Sequence, residues 1–251
     1  MSALLEVREV SRSFSGLQVL KQVSFSVELG SITGLIGPNG AGKSTLFNIV
    51  SGFLDADQGA VIYAGTEVGR LSIQRRSTLG LVRTFQTPQV FPHLSVRENL
   101  IAGCYKQTRS GLLANLLGTP GSRGELARMQ READAACERF DLSEVADRPA
   151  GKLPGGQQRL VELARACIGR PRLLCLDEPS SGLNSEEVAL LMRTLQRLNR
   201  DGMTILLVSH DMDLVSVAAV IHVLCFGEII ASGPLAQVKS DQRVRDAYLG
   251  V

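Results

Sequence analysis

The run Gly37-Pro38-Asn39-Gly40-Ala41-Gly42-Lys43-Ser44-Thr45 has the spacing G-x-x-x-x-G-K-[ST] in full. Glycines at these places let successive backbone N–H groups converge on phosphate oxygens. The lysine reaches the β- and γ-phosphates, and the Ser44 hydroxyl is a ligand for Mg²⁺. A helix opening directly after the loop adds the positive end of its dipole. The rival reading is a plain glycine turn. Against it, the apolar run Ile32 to Ile36 precedes the loop, and Leu46, Ile49, Val50 and Phe53 follow at helical spacing, where the motif requires a strand and a helix.

A second chemical feature is Leu173-Leu174-Cys175-Leu176-Asp177-Glu178, an apolar strand ending in two carboxylates. Asp177, at the carboxyl end of a strand, suits a Mg²⁺ ion held through its water shell. Glu178 then stands where it can orient and deprotonate a water attacking a γ-phosphate. By itself such a pair is equally well an acidic turn; beside a phosphate loop it points to hydrolysis.

Leu153-Pro154-Gly155-Gly156-Gln157-Gln158-Arg159 precedes a helical pattern of Leu160, Leu163, Ala164 and Cys167. This is a second glycine-rich helix N-terminus suited to phosphate. One nucleotide cannot easily occupy two such cradles in one subunit, which suggests a nucleotide shared between two chains. His210, after the strand pattern Ile205 to Val208, is either a donor within reach of a γ-phosphate or a polar residue flanking a helix. Gln86, after Leu81-Val82-Arg83-Thr84-Phe85, is on its own an ordinary loop glutamine.

The elements that must carry these residues follow from the pattern. Val23 to Leu29 alternates as a half-buried strand, and Ala60 to Tyr63 reads as another strand. Ser95-Val96-Arg97-Glu98 has capping-box spacing, as has Ser122 to Glu125, so each predicts a helix start. Residues 107–124, rich in Gly, Ser, Thr and Pro, predict a loop between those helices. In the last third, strands over 172–176, 203–208 and 220–226 alternate with helices over 185–200 and 211–219. That alternation argues a mostly parallel sheet covered on both faces, with a helical subdomain inserted at about 95–153.

Composition narrows the class. The chain has 251 residues with 27 Lys+Arg against 25 Asp+Glu, a net charge of +2. This near balance argues against a domain that grips nucleic acid through its charge. No run reaches the roughly 18 apolar residues of a membrane span. The N-terminus has early charges and no signal-peptide core. Five cysteines, an odd number without a Cys-x-x-Cys pair, predict a reducing compartment, with Cys175 and Cys225 as buried hydrophobes.

As a set, these motifs resemble the ATP-binding subunit of an ABC transporter, a likeness covering nearly the whole chain. It places the family's Walker A on Gly37 to Thr45, its Q-loop glutamine on Gln86 and its signature on Leu153 to Gln157. The Walker B aspartate falls on Asp177, the catalytic glutamate on Glu178, the D-loop on Ser181-Gly182-Leu183-Asn184 and the switch histidine on His210. The likeness implies a catalytic set of Glu178, His210 and Gln86, and a metal held by Ser44, Gln86 and Asp177. Phe14 matches the aromatic that stacks on adenine; a core residue at a strand edge is the other reading. Nucleotide contacts from a partner would then fall on Pro154, Gly155, Gly156 and Gln157.

Two residues depart from the family's usual pattern: Pro154 replaces the signature serine, and Asn184 replaces the D-loop aspartate. Both departures are similar to the branched-chain amino acid uptake group, as are Arg83-Thr84-Phe85-Gln86, the long insert and the ending Ala247-Tyr248-Leu249-Gly250. The resemblance implies a P-loop NTPase fold with a RecA-like, mostly parallel α/β sheet, an N-terminal antiparallel β part and the inserted helices. It implies an ATPase domain over 4–235 and a short C-terminal helical extension over 236–251. The cofactors are expected to be ATP and Mg²⁺. The expected partners are a second ATPase subunit (the same chain or a different one), two polytopic permease subunits and an extracytoplasmic solute-binding protein, with no nucleic acid. The expected location is the cytoplasmic face of the inner or plasma membrane. ATPases serving urea or amides look alike. DNA-repair relatives need long coiled-coil arms, translation relatives two cassettes, and a metabolite kinase has no use for the second cradle.

Overall fold

All five residues of Ile32–Ile36 (β3) are buried, and such a run belongs inside a sheet covered on both faces, with a strand on each side. The computed structural model, which describes residues 3–104 and 120–249, supplies both. β8 (Thr204–Val208) and β9 (Val220–Cys225) flank β3 in parallel, with Leu35 opposite Val208 on one side and His222 on the other. Outward from β8 come β7 (Leu173–Asp177) and β6 (Leu81–Arg83), both parallel, while β10 (Glu228–Gly233) closes the far edge antiparallel to β9. The order is β10-β9-β3-β8-β7-β6.

A second, antiparallel sheet has the order β2-β1-β4-β5, with β1 at Ala3–Phe14, β2 at Leu17–Glu28, β4 at Gln58–Tyr63 and β5 at Thr66–Glu67. The alternation predicted from Val23 onward is the second half of β2, where Val23, Phe25 and Val27 are buried; the strand ends at Glu28 and Leu29 is exposed. Between the two sheets lies one apolar cluster that includes Leu5, Val27, Leu46, Phe47, Val61 and Leu206.

α1 (Lys43–Ser51) starts from the glycine loop and ends at Gly52, whose φ of 84° is left-handed. Its last carbonyls, on Ile49 and Val50, accept from Nη1 of Arg76 at 2.6 and 2.7 Å. Arg76 is buried and is carried by the short helix α2 (Ile73–Thr78). An arginine at the negative end of a helix dipole is favourably placed.

The chain divides into two units, 1–86 with 172–251, and 87–171. In the second unit, α3 (Val96–Gly103) opens on the predicted capping box: Ser95 Oγ accepts from the Glu98 amide, and Glu98 accepts from the Ser95 amide. α4 (Pro120–Arg139) and α5 (Gly155–Ile168) pack with α3 around Leu100, Ala133, Cys137, Leu163 and Cys167. Ser122, predicted as a helix cap, is already inside α4, because Pro120 occupies the first helical position, where its missing N–H costs nothing. Of the loop predicted over 107–124, residues 107–119 lie outside the described part. This unit extends beyond 95–153 on both sides.

α6 (Ser185–Arg200) buries Val188, Leu191, Leu195 and Leu198. The helix predicted from Asp211 to Ala219 is a single turn, α7 (Met212–Val215). Ser216 Oγ bonds back to the Asp213 carbonyl at 2.6 Å and the Ala219 amide bonds to Ile32, which ends the helix and starts β9. α8 (Leu235–Ser240) and α9 (Gln242–Leu249) complete the chain. Among the described residues no helix is long and apolar enough to cross a membrane.

Candidate functional site

The loop after β3 is shaped by its own packing. Gly42 has φ 102°, and a Cβ there would stand 2.8 Å from Leu20 Cδ2 and 3.0 Å from the Val19 carbonyl. Only glycine fits, and it caps α1 with no side-chain hydrogen bond. The first amides of α1 are thereby left to a ligand. Lys43 is buried, and its Nζ donates to the carbonyls of Gly37 at 2.7 Å and Pro38 at 3.0 Å. Burial lowers its pKa, and the charges of Glu178 and Asp177 oppose that fall. The loop thus encloses a cation facing two carboxylates, and Ser44 behind it is exposed.

The parallel strands bring the remaining groups to the same end of the sheet. Glu178 leaves β7 with φ 45°, left-handed and rare for a side-chain-bearing residue. Such backbone is strained by about 1–3 kcal/mol and is over-represented where function fixes a side chain. Its amide bonds the Val208 carbonyl at 2.8 Å, which ties the end of β7 to the end of β8. His210, just past β8, holds the carboxylate twice: its amide donates to Glu178 Oε2 at 3.2 Å, and its Nδ1 lies 2.7 Å from the same oxygen. His210 is largely exposed and Glu178 mostly enclosed. The two face a cleft of about 430 Å³ lined by residues 39–45, Val19 and Gln86.

Asp177 ends β7 with its Oδ2 held by Arg83 at 2.7 Å. Phe14 ends β1, is not among the residues lining that cleft, and is partly exposed. The Arg12 guanidinium sits 4.9 Å from its ring centroid, fixed by Asp57, which also accepts from the Ser13 amide. Asn184, in the D-loop place, caps α6: its Oδ1 accepts from the Glu187 amide while Glu187 accepts from the Asn184 amide, both at 3.0 Å.

The loop 153–157 belongs to the second unit. Pro154 caps α5 without a side-chain hydrogen bond, and a Cβ on Gly155 would meet nothing within 4 Å. Behind it Arg159 and Glu162 form a buried pair at 2.7 Å, and Glu162 also accepts from the Gln89 amide.

Two participants escaped the sequence reading. Arg83 was visible only as a member of a similar tetrapeptide. Tyr248, part of the chain's ending, has its phenol hydrogen-bonded to the backbone of Gly37, while burial raises the phenol pKa. Their partners lie far away in sequence, so no local pattern signals them.

Comparison with known proteins adds an independent line. The family model described as ABC transporter matches residues 20–181, and that of the branched-chain amino acid ATP-binding cassette transporter matches 228–251. The chain is 37% identical over 249 residues to the high-affinity branched-chain amino acid transport ATP-binding protein BraF of Pseudomonas aeruginosa, covering 98% of each. It is equally similar, 37% with 98% of each covered, to LivG of Escherichia coli strain K12, which bears the same description. A crystal structure of a nucleotide-free ATP-binding cassette from an ABC transporter superposes with a TM-score of 0.86 at 33% identity, covering 100% of both chains.

Proposed function

The chain belongs to the ABC transporter family as an ATP-hydrolysing transport subunit, and from that premise we propose that it powers an importer of branched-chain amino acids. The observation that carries the ATPase half is the Glu178–His210 pair at 2.7 Å facing the phosphate loop across one cleft. The substrate half rests on the C-terminal match and on relatives alike over 98% of the chain.

In this reading the triphosphate lies along residues 37–45, with the loop amides and the α1 dipole on its oxygens and Lys43 on the β- and γ-phosphates. Lys43 would exchange its bonds to the Gly37 and Pro38 carbonyls for phosphate oxygens. The groups present fit Mg²⁺: a hard ion that keeps several waters needs only one or two protein oxygens beside the phosphates. Ser44 and Asp177 would hold it, with Gln86 at its edge. Such an ion would supply charge neutralisation at the phosphate oxygens. Glu178 accepts the proton of the attacking water, and His210 holds that carboxylate in its strained, left-handed place. Phe14, backed by Arg12, offers its exposed face to the adenine.

Closure needs a second ATPase subunit, whose 153–157 loop covers the γ-phosphate. The pair would dock on two permease subunits at the cytoplasmic face, fed by an extracytoplasmic binding protein. The test is reconstitution in vesicles with those partners. Leucine-loaded binding protein is expected to stimulate ATP hydrolysis and leucine uptake together. Stimulation by urea or an amide, with leucine inert, would reassign the substrate.

A further inference from the structure

Arg83, the last residue of β6, directs its guanidinium at three side chains. Nη2 donates to Asp177 Oδ2 at 2.7 Å, and Nη1 donates to Asn48 Oδ1 at 2.6 Å and to Ser51 Oγ at 2.9 Å. The guanidinium carbon lies 4.6 Å from the ring centroid of Phe47, 4.9 Å from that of Phe53 and 5.4 Å from that of Phe85. The cation is therefore stacked among aromatic faces, and its planar fork, once so held, has one orientation. Its Nε is buried, with no hydrogen-bond partner among the described residues. The fork is aimed at Asp177 and α1 even though one donor goes unused.

We propose that Arg83 is a positioning residue for the carboxylate of Asp177, presenting its Oδ1 oxygen to the magnesium ion of the nucleotide complex. The inference rests on the ATPase reading above. Three observations separate it from a simple structural ion pair. First, β6 and β7 do not need it: Leu81, Val82 and Arg83 already pair with Leu173, Leu174 and Cys175, and the Thr84 amide bonds the Cys175 carbonyl at 2.9 Å. Second, both side chains are almost enclosed, with 11% and 13% exposure. There the desolvation of two ions offsets their attraction, so the pair is a weak source of stability. Third, the contacts are divided between the two oxygens. Arg83 occupies Oδ2, and among the described residues nothing hydrogen-bonds Oδ1.

The same guanidinium links the far side of α1 to the end of β7, because Asn48 and Ser51 lie on the helix that begins at Lys43 and Ser44. One residue thus fixes both halves of the expected metal site relative to each other, Ser44 through α1 and Asp177 directly. It also stands three residues before Gln86. Groups that orient a ligating carboxylate from behind typically change metal affinity by about 10–100-fold when removed.

The test is Mn²⁺ binding, followed by electron paramagnetic resonance, to the full chain saturated with the non-hydrolysable analogue AMP-PNP, together with AMP-PNP binding in EDTA. Arg83→Gln is expected to leave binding in EDTA unchanged and to weaken Mn²⁺ by about 10–100-fold, with Arg83→Lys in between. A folded Arg83→Gln protein that binds Mn²⁺ like wild type would overturn the proposal, whatever its melting temperature. Should Arg83→Gln fail to fold, Asn48→Ala, which releases one arm of the fork, is read in the same way. A several-fold weaker Mn²⁺ complex supports the proposal, and an unchanged one overturns it. Wild-type protein that bound no AMP-PNP would sink the ATPase reading and this inference with it. A normal wild-type Mn²⁺ response beside an indifferent Arg83→Gln sinks this inference alone.

Discussion

Two glycine-rich loops open helices in this chain, and the structure treats them differently. In the loop 37–45 the chain itself demands glycine: Gly42 is left-handed and pressed against Leu20 and the Val19 carbonyl. That loop also holds its own counter-charges, with Lys43 buried among carbonyls and carboxylates nearby. In the loop 153–157 nothing among the described residues demands Gly155, which is exposed and has open space where a Cβ would stand. The first loop is a finished pocket. In the second, the exposed Gly155 leaves room at a helix N-terminus, which is what half of a shared nucleotide site requires.

The contrast breaks first at the chemistry of the finished pocket. Glu178→Gln should keep ATP affinity and lower turnover by about 10²–10⁴, the usual value of a general base. Phosphate release by the purified variant at the wild-type rate would remove Glu178 from the mechanism.

Next comes the unfinished loop. Gly155→Asp should fold normally, since a Cβ at this position meets nothing within 4 Å. Set against a partner's triphosphate it should weaken ATP-driven dimerisation by several kcal/mol, roughly 100-fold or more. The measurement is light scattering in a Glu178→Gln background, where ATP persists. Wild-type dimerisation would remove this loop from the nucleotide sandwich. A loss of melting temperature would instead mean that the glycine serves the fold.

Lys43→Ala tests the opposite dependence. It should lower ATP affinity of the single chain by about 1.5–3 kcal/mol, roughly 10–150-fold, the value of hydrogen bonds to a charged group. Isothermal titration that found unchanged affinity would contradict the cradle.

How far the sequence made these regions legible follows from the same difference. The strand-loop-helix around Lys43 and the strand ending in Asp177 and Glu178 are local patterns, and the structure has them where the spacing puts them. Strand β1 was not legible because its alternation is broken: Leu4 and Leu5 are both buried, register shifts recur along its pairing with β2, and Glu9 takes φ 49°. Bulges of this kind erase a period of two. Asn184, conspicuous in the sequence as a departure, has a local use as the cap of α6. The Arg83 network was out of reach, since Asn48 and Asp177 lie 35 and 94 positions away.

The smallest expected effect concerns Pro154, the conspicuous departure in the unfinished loop. Proline has no N–H and φ fixed near −65°, so this position offers a phosphate neither an amide nor a hydroxyl. Here it takes φ −54° and ψ 155° as the cap of α5, conformations that serine adopts equally well. Its carbonyl accepts from the Gln158 amide at 3.0 Å, a bond that substitution leaves in place. Pro154→Ser should therefore fold as wild type, since a serine at this cap can accept an amide of the first turn, which proline cannot do. If a partner's γ-phosphate lies against this loop, the new hydroxyl can add one hydrogen bond and tighten ATP-driven dimerisation by about 0.5–1.5 kcal/mol, roughly 2–13-fold. Dimerisation is read in the same Glu178→Gln background. A loss of dimerisation in a folded Pro154→Ser variant would mean that the rigid proline itself is what the partner recognises, and the loop would then be selective for its shape rather than for phosphate.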